Sequence, residues 1–207
     1  FYLIIAFMKL KSLVLSTILL MTSCNITAQD IQLPEPTRNG GMPLMEAVNN
    51  RQSSREFTDA TLTHQQLSDM LWIACGYNRP DKRTVATALN RQEMSAYVIT
   101  PEAVYRYEPK ENKLIHINSG DHRGVSAMQD FAKVAPLNVA LVADLAKQDK
   151  DIFAGMTVGA MSNNIYLWCA SEGLKTVVRA SFDQEGLKKA LKLNDKETVL
   201  LVQTVGK

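Results

Sequence analysis

The chain has 207 residues, the size of one large domain or two small ones, with 46% hydrophobic and 21% charged residues. These are ordinary globular values, and they exclude a disordered or collagen-like chain. Lys and Arg total 23 against 21 Asp and Glu, and the only charges in residues 1–28 are Lys9 and Lys11. The remainder is therefore neutral and carries no basic run. That argues against nucleic acid as a partner, since phosphate neutralisation needs clustered cations. Three cysteines are too few, and odd in number, for a disulfide-built scaffold.

Met8 is followed by Lys9, Leu10 and Lys11, then by a mainly apolar run from Leu13 to Met21, then by small and polar residues. This is the pattern of a secretory signal peptide over residues 1–28, with 1–7 lying upstream of the true start at Met8. The apolar run is shorter than the roughly 20 residues that spanning a bilayer takes. Two processing sites stay open. Met21-Thr22-Ser23-Cys24 resembles a lipobox, which would place a lipid anchor on Cys24, and Ile26-Thr27-Ala28 resembles an ordinary signal-peptidase site. Both readings predict an exported body, periplasmic or held as a membrane-anchored lipoprotein. Cys75 and Cys169 sit in apolar helical patterns and are expected to be buried, inert thiols, although an oxidising compartment would permit pairing.

Residues 29–42, with Pro34, Pro36, Gly40 and Gly41, read as an extended tether before a domain over 43–207. Met42 to Asn50 is a short helix with Leu44, Met45 and Val48 on one face. Thr63 caps a helix of about 13 residues on which Leu67, Met70, Leu71 and Ala74 share a face, and Gly76 ends it. Residues 77–93 read as a polar, irregular loop of a length that is usually functional or flexible. Three β-branched and aromatic segments follow, over 97–99, 103–107 and 113–117. Residues 124–133 read as helical, Leu137 to Val142 as a central strand, and Asp151 to Glu172 as the longest helix, closed by Gly173. A strand (Thr176 to Arg179), a short helix (Asp183 to Leu191) and a final strand (Thr198 to Val205) complete an α+β domain with local antiparallel pairing.

Most catalytic constellations are missing. His64, His116 and His122 have no metal-ligand spacing, and neither a Gly-x-Ser-x-Gly elbow nor a Gly-x-Gly-x-x-Gly turn occurs. Arg51-Gln52-Ser53-Ser54-Arg55 is different. It sets two guanidiniums and two hydroxyls within five residues, a donor set suited to a phosphate monoester; a solvated, salt-bridged helix end is the competing explanation. In Ala86-Thr87-Ala88-Leu89-Asn90-Arg91-Gln92-Glu93-Met94, small residues permit close approach to a flat ligand, and Asn90 and Gln92 offer donors and acceptors to a heterocycle edge. Gly155 to Trp168 alternates small and large apolar groups, as a buried or dimer-forming helix requires.

In this order, the three stretches resemble the nitroreductase family of flavin-dependent oxidoreductases. Arg51 to Phe57 matches its Arg-Arg-Ser-x-Arg-x-Phe, Ala86 to Met94 its Pro-Ser-Ala-x-Asn-x-Gln-Pro-Trp, and Gly155 to Thr176 its Gly-rich helix ending in Glu-Gly-Leu-Gly-Thr. The resemblance covers about residues 43–206. Ala103 to Tyr107 followed by Asp121-His122-Arg123 is similar to the branch related to azoline dehydrogenases that modify peptides. The resemblance implies a central, mainly antiparallel sheet flanked by helices, in an intertwined homodimer with FMN at the subunit interface. By that pattern Arg51, Gln52 and Ser53 belong to the phosphate end, and Arg55 lies near flavin N1 and O2. Thr87, Ala88 and Asn90 reach FMN from the partner protomer. Val178, Arg179 and Ala180 present backbone to the N5 and O4 side. Hydride then passes through N5 in a ping-pong cycle between an electron donor and a small-molecule oxidant, with no catalytic side chain required.

The chain departs from the pattern at Gln52, at Ala86-Thr87 in place of Pro-Ser, and at Glu93-Met94 in place of Pro-Trp. Lys207 stands where relatives continue to basic residues that reach the phosphate. These departures motivate an alternative, a non-enzymatic envelope protein that kept the fold and binds a ligand or partner.

Overall fold

The computed structural model describes residues 29–207. The signal-peptide, Met8 and Cys24 expectations fall outside those residues. Residues 29–42 run extended along the body. Ile31–Gln32 (β1) pairs with a sheet strand, Leu33 is buried, and the Pro34 carbonyl accepts from Ser68 Oγ at 2.6 Å and Asn112 Nδ2 at 2.6 Å.

The first helix, α1 (Leu44–Asn50), buries only Ala47. Its Leu44, Met45 and Val48 point outward, 66%, 77% and 49% exposed. The second, α2 (His64–Cys75), starts in a complete capping box: Thr63 Oγ1 accepts from the Gln66 amide while Gln66 Oε1 accepts from the Thr63 amide. This satisfies two otherwise orphaned donors. Gly76 ends α2 with φ at −72°, outside the left-handed region; glycine is needed because a Cβ there would strike Trp72.

The stretch expected to be irregular contains a small hairpin, β2 (Tyr77–Arg79) with β3 (Lys82–Arg83), and a 3-10 turn at Ala88–Asn90. The next strands are β4 (Met94–Ile99), β5 (Ala103–Glu108), β6 (Lys113–Ser119) and β7 (Leu137–Asp144). The long helix α4 (Asp151–Ser171) follows α3, a single turn at Phe131–Val134. Then come β8 (Lys175–Arg179), α5 (Gln184–Ala190) and β9 (Glu197–Gly206). Gly173 closes α4 with φ +66°, a left-handed turn that glycine adopts without strain.

Seven strands form one sheet in the order β1-β6-β5-β4-β7-β9-β8, with every pairing antiparallel. The two-residue period divides the central strands between two cores. Met94, Ala96 and Val98 of β4, with Val139 and Leu141 of β7, pack against Leu71 of α2 and Met161 and Ile165 of α4. On the other face Tyr97, Ile99, Ala140 and Val142 meet Leu187 and Leu191 around α5. A strand buried on both faces has no polar side, hence the near-continuous apolar run of β7.

Residues 124–133 are not one helix but a 3-10 turn (Arg123–Ser126) and the single turn α3. Tertiary partners claim the backbone groups a helix would need. The Ser126 carbonyl accepts from Arg179 Nη1 at 2.7 Å, and the Val125 carbonyl accepts from the Asp183 amide at 3.1 Å. Cys75 and Cys169 are free and buried in the same core. Among the described residues no helix is long and apolar enough to cross a membrane.

Candidate functional site

Where α1 ends, the Arg51 amide still donates to the Ala47 carbonyl at 2.9 Å, but the chain then turns extended. It runs beside the outer edge of β8, the last strand of the sheet. An edge strand offers unpaired N–H and C=O groups; here the loop takes one of them and α4 another. The Ser54 amide donates to the Thr176 carbonyl at 2.9 Å, and the Val178 amide donates to the hydroxyl of Tyr166 on α4 at 3.0 Å. That hydroxyl lies 2.8 Å from Ser53 Oγ. The Arg51 guanidinium sits over the Tyr166 ring, 5.3 Å from its centre, a cation–π contact.

The result is a cleft of about 620 Å³ between the 50–56 loop, the last turns of α4 and the turn into β8. Gln52, Ser53, Arg55, Tyr166 and Lys175 line it, with Glu56 as its carboxylate. Its size falls in the range of small-molecule and cofactor pockets, roughly 300–1,000 Å³. Among the described residues neither Arg51 nor Arg55 pairs with a carboxylate. Unpaired, exposed guanidiniums beside hydroxyls at a concave edge make an acceptor-only anion such as phosphate the complementary ligand. The donor set thus fits the phosphate end of FMN.

Other expected site residues lie elsewhere in the protomer. Ala88 and Asn90 are in the 3-10 turn and Thr87 immediately precedes it, all outside this cleft. The amides of Asn90 and Gln92 are spent within their own loop. Asn90 Nδ2 donates to the Asp81 carbonyl at 3.1 Å, Gln92 Nε2 donates to the same carbonyl at 2.9 Å, and Gln92 Oε1 accepts from the Tyr77 hydroxyl. One copy of the chain therefore does not unite the two motifs.

On β8 the residues divide. Val178 gives its amide to Tyr166, and Ala180, just past the strand, is exposed. Arg179 turns its side chain the other way, into the protein. There it donates from Nη1 to the Ser126 carbonyl and from Nη2 to Asn138 Oδ1 (2.7 Å) and Thr204 Oγ1 (2.8 Å). Burial pulls its pKa down to about 10, so it stays a cation at neutral pH.

Two cleft residues escaped the sequence reasoning. Tyr166 reads as one more apolar position of α4, and nothing in its spacing signals a hydroxyl turned toward Ser53. Lys175 stands within Glu172-Gly173-Leu174-Lys175-Thr176, and its place in that motif was the available signal. The Lys207 carbonyl accepts from the Thr58 amide at 2.9 Å, just beyond the loop, but its side chain is not part of the cleft wall.

Fold and cleft together define an antiparallel α+β protein with an arginine-flanked cleft on its sheet edge, and sequence comparison specifies the class. The family model of the nitroreductase family matches residues 48–207. A protein of Methanocaldococcus jannaschii that carries the nitroreductase name is 28% identical over 197 residues, covering 86% of this chain and 96% of that one. A crystal structure from Ralstonia eutropha JMP134, also named a nitroreductase, shares 37% identity with a TM-score of 0.81, covering 87% of this chain and 90% of that one. The fold is shared with a nitroreductase-named structure from Desulfovibrio desulfuricans solved in complex with FMN, at 16% identity and a TM-score of 0.61 over 81% of this chain and 87% of that one. The chain belongs to the nitroreductase family and is an oxidoreductase of that type.

Proposed function

We propose that the protein is an exported, FMN-dependent oxidoreductase that acts as a homodimer in a ping-pong cycle. The observation that carries this reading is the unpaired cationic cleft at the β8 edge. Arg51, beside the cleft over Tyr166, would neutralise the phosphate, Ser53 would donate to a phosphate oxygen, Arg55 would face the flavin's N1 and O2, and Lys175 adds a third positive charge at the wall. Bound FMN supplies reversible two-electron chemistry at N5 of its ring. The chain's own part is to hold that ring, place the exposed backbone after β8 beside it, and exclude water by closing two copies over it.

The homodimer reading rests on two features. Thr87, Ala88 and Asn90 lie outside the cleft of their own protomer, which suits a site completed from a second copy. The long helix α4 presents a stripe of Ile152, Gly155, Met156, Gly159, Ala160 and Asn163 to solvent, small enough in its middle for close helix contact. Export rests on the pattern of residues 1–28.

The test is the visible spectrum after reconstitution with FMN, followed by dithionite titration. A yellow protein whose absorbance bleaches on reduction and returns with an oxidant is expected. Arg51→Ala with Arg55→Ala should lose at least 100-fold in FMN affinity, about 3 kcal/mol for two charge-assisted contacts, with an unchanged circular dichroism spectrum. A wild-type protein that stays colourless, or a double variant that keeps its flavin, overturns the assignment. The alternative of a non-enzymatic binder would be supported by flavin that binds but cannot be reduced and reoxidised.

A further inference from the structure

The contacts of Tyr166 form a chain with a direction. The Val178 amide can only donate, so at 3.0 Å the phenol oxygen is the acceptor. Tyr166 is 8% exposed, and among the described residues its one remaining hydroxyl partner is Ser53 Oγ at 2.8 Å. If Ser53 donated to Tyr166, the phenol proton would have no protein acceptor among the described residues, forgoing a hydrogen bond worth roughly 0.5–1.5 kcal/mol. The favoured arrangement runs from the Val178 amide to the Tyr166 oxygen, and from the Tyr166 proton to Ser53 Oγ. Ser53 has then accepted on its inner side, and its own proton is left to point into the cleft.

We infer that Tyr166 is a positioning residue that fixes Ser53 as a hydrogen-bond donor toward the phosphate group of the bound ligand. The inference rests on the FMN reading and names the residue that makes its phosphate end selective. A phosphate dianion only accepts, so a serine free to rotate would spend part of its time presenting a lone pair, whereas one oriented by Tyr166 presents a proton. The same phenol ring carries the Arg51 guanidinium, so hydroxyl and cation are set by one rigid side chain. It stands on α4 and is tied to β8.

The test compares FMN with riboflavin, which has the same ring and no phosphate, by quenching of flavin fluorescence on binding. Tyr166→Phe keeps the ring and removes the hydroxyl. The expected result is FMN affinity weakened about tenfold, the scale of one charge-assisted hydrogen bond, with riboflavin affinity unchanged. Ser53→Ala should lose as much, and the double variant no more than either single one. Equal weakening of both flavins would show a merely structural role, and no weakening of either would show that Ser53 needs no orientation; each overturns the inference. Inorganic phosphate gives an independent reading: it should raise the melting temperature of the wild type more than that of Tyr166→Phe. A wild type that binds neither flavin overturns the functional reading, and the phosphate shifts still decide the role of Tyr166, equal shifts refuting it.

Discussion

Met156→Glu tests the pairing of two copies along α4. Leu44, Met45, Val48, Ile152 and Met156 are 66%, 77%, 49%, 69% and 67% exposed in one protomer. Full burial of such a side chain is worth roughly 1.5–3 kcal/mol, so about 1–2 kcal/mol each remains to be gained. A pairing that covers the exposed face of α1 together with the α4 stripe buries five side chains on each of two protomers, about 10–20 kcal/mol, enough to exceed an association cost of roughly 4–15 kcal/mol. A glutamate at 156 removes its share of that gain twice, once per protomer. It also buries two carboxylates without partners, at a cost of several kcal/mol each. The sum of about 5–10 kcal/mol corresponds to a dissociation constant raised by more than a thousandfold. Sedimentation velocity at micromolar protein should show a dimer for the wild type and a monomer for the variant. Helix content should be unaffected, since Met156 has no place in the protomer's own core. A wild-type monomer, or a variant that still sediments as a dimer at nanomolar concentration, would refute the reasoning.

Three further outcomes follow from the geometry. Arg179→Met deletes three hydrogen bonds from a buried cation and should cost about 2–4 kcal/mol, lowering the melting temperature by roughly 5–15 °C; an unchanged melting curve would show that relieved desolvation offsets the loss. Arg123 grips Asp121 through Nε at 2.9 Å and Nη2 at 2.7 Å and holds the Asp121 carboxyl below its ordinary value of 3.8. The folded value being the lower one, the pair stabilises above the unfolded pKa and is lost as pH falls through the folded one. Asp121→Asn should therefore cost up to about 1 kcal/mol at pH 6, in thermal melts whose difference from wild type vanishes as pH drops below that range; a difference that grows instead would contradict the sign. Burial pushes the Cys75 thiol up to about 11 and the Cys169 thiol higher still, so neither should be alkylated in native protein at pH 8, whereas both should react in denaturant. Rapid native labelling would mean that the shared core opens.

Elements whose signals are local were legible in the sequence. Thr63 and Gln66 specify the start of α2 by reciprocal side-chain bonds three residues apart, and Gly173 specifies the end of α4 because one residue must turn left-handed. The apolar run from Leu137 marks a strand covered on both sides, since a half-covered strand would alternate. The cleft was half legible. Two arginines and two serines in five residues suggest a donor set for an anion, with a solvated helix end as the competing reading, but Tyr166 is indistinguishable in sequence from its apolar neighbours on α4.

Other features were decided only when distant segments met. Residues 124–133 have the composition of a helix and fold as two turns, because Arg179 and Asp183 claim carbonyls that a helix would have used. Leu44, Met45 and Val48 announce an amphipathic helix, yet packing against α4 fixes which side of α1 is inward, and the apolar face is left outside. Arg179 carries a charge that sequence assigns to the surface or to a site, and tertiary packing places it inside among Ser126, Asn138 and Thr204. Periodicity and capping act over a few residues and are fixed by the chain alone. Burial of a particular polar group depends on partners tens of residues away, so only the assembled fold determines it.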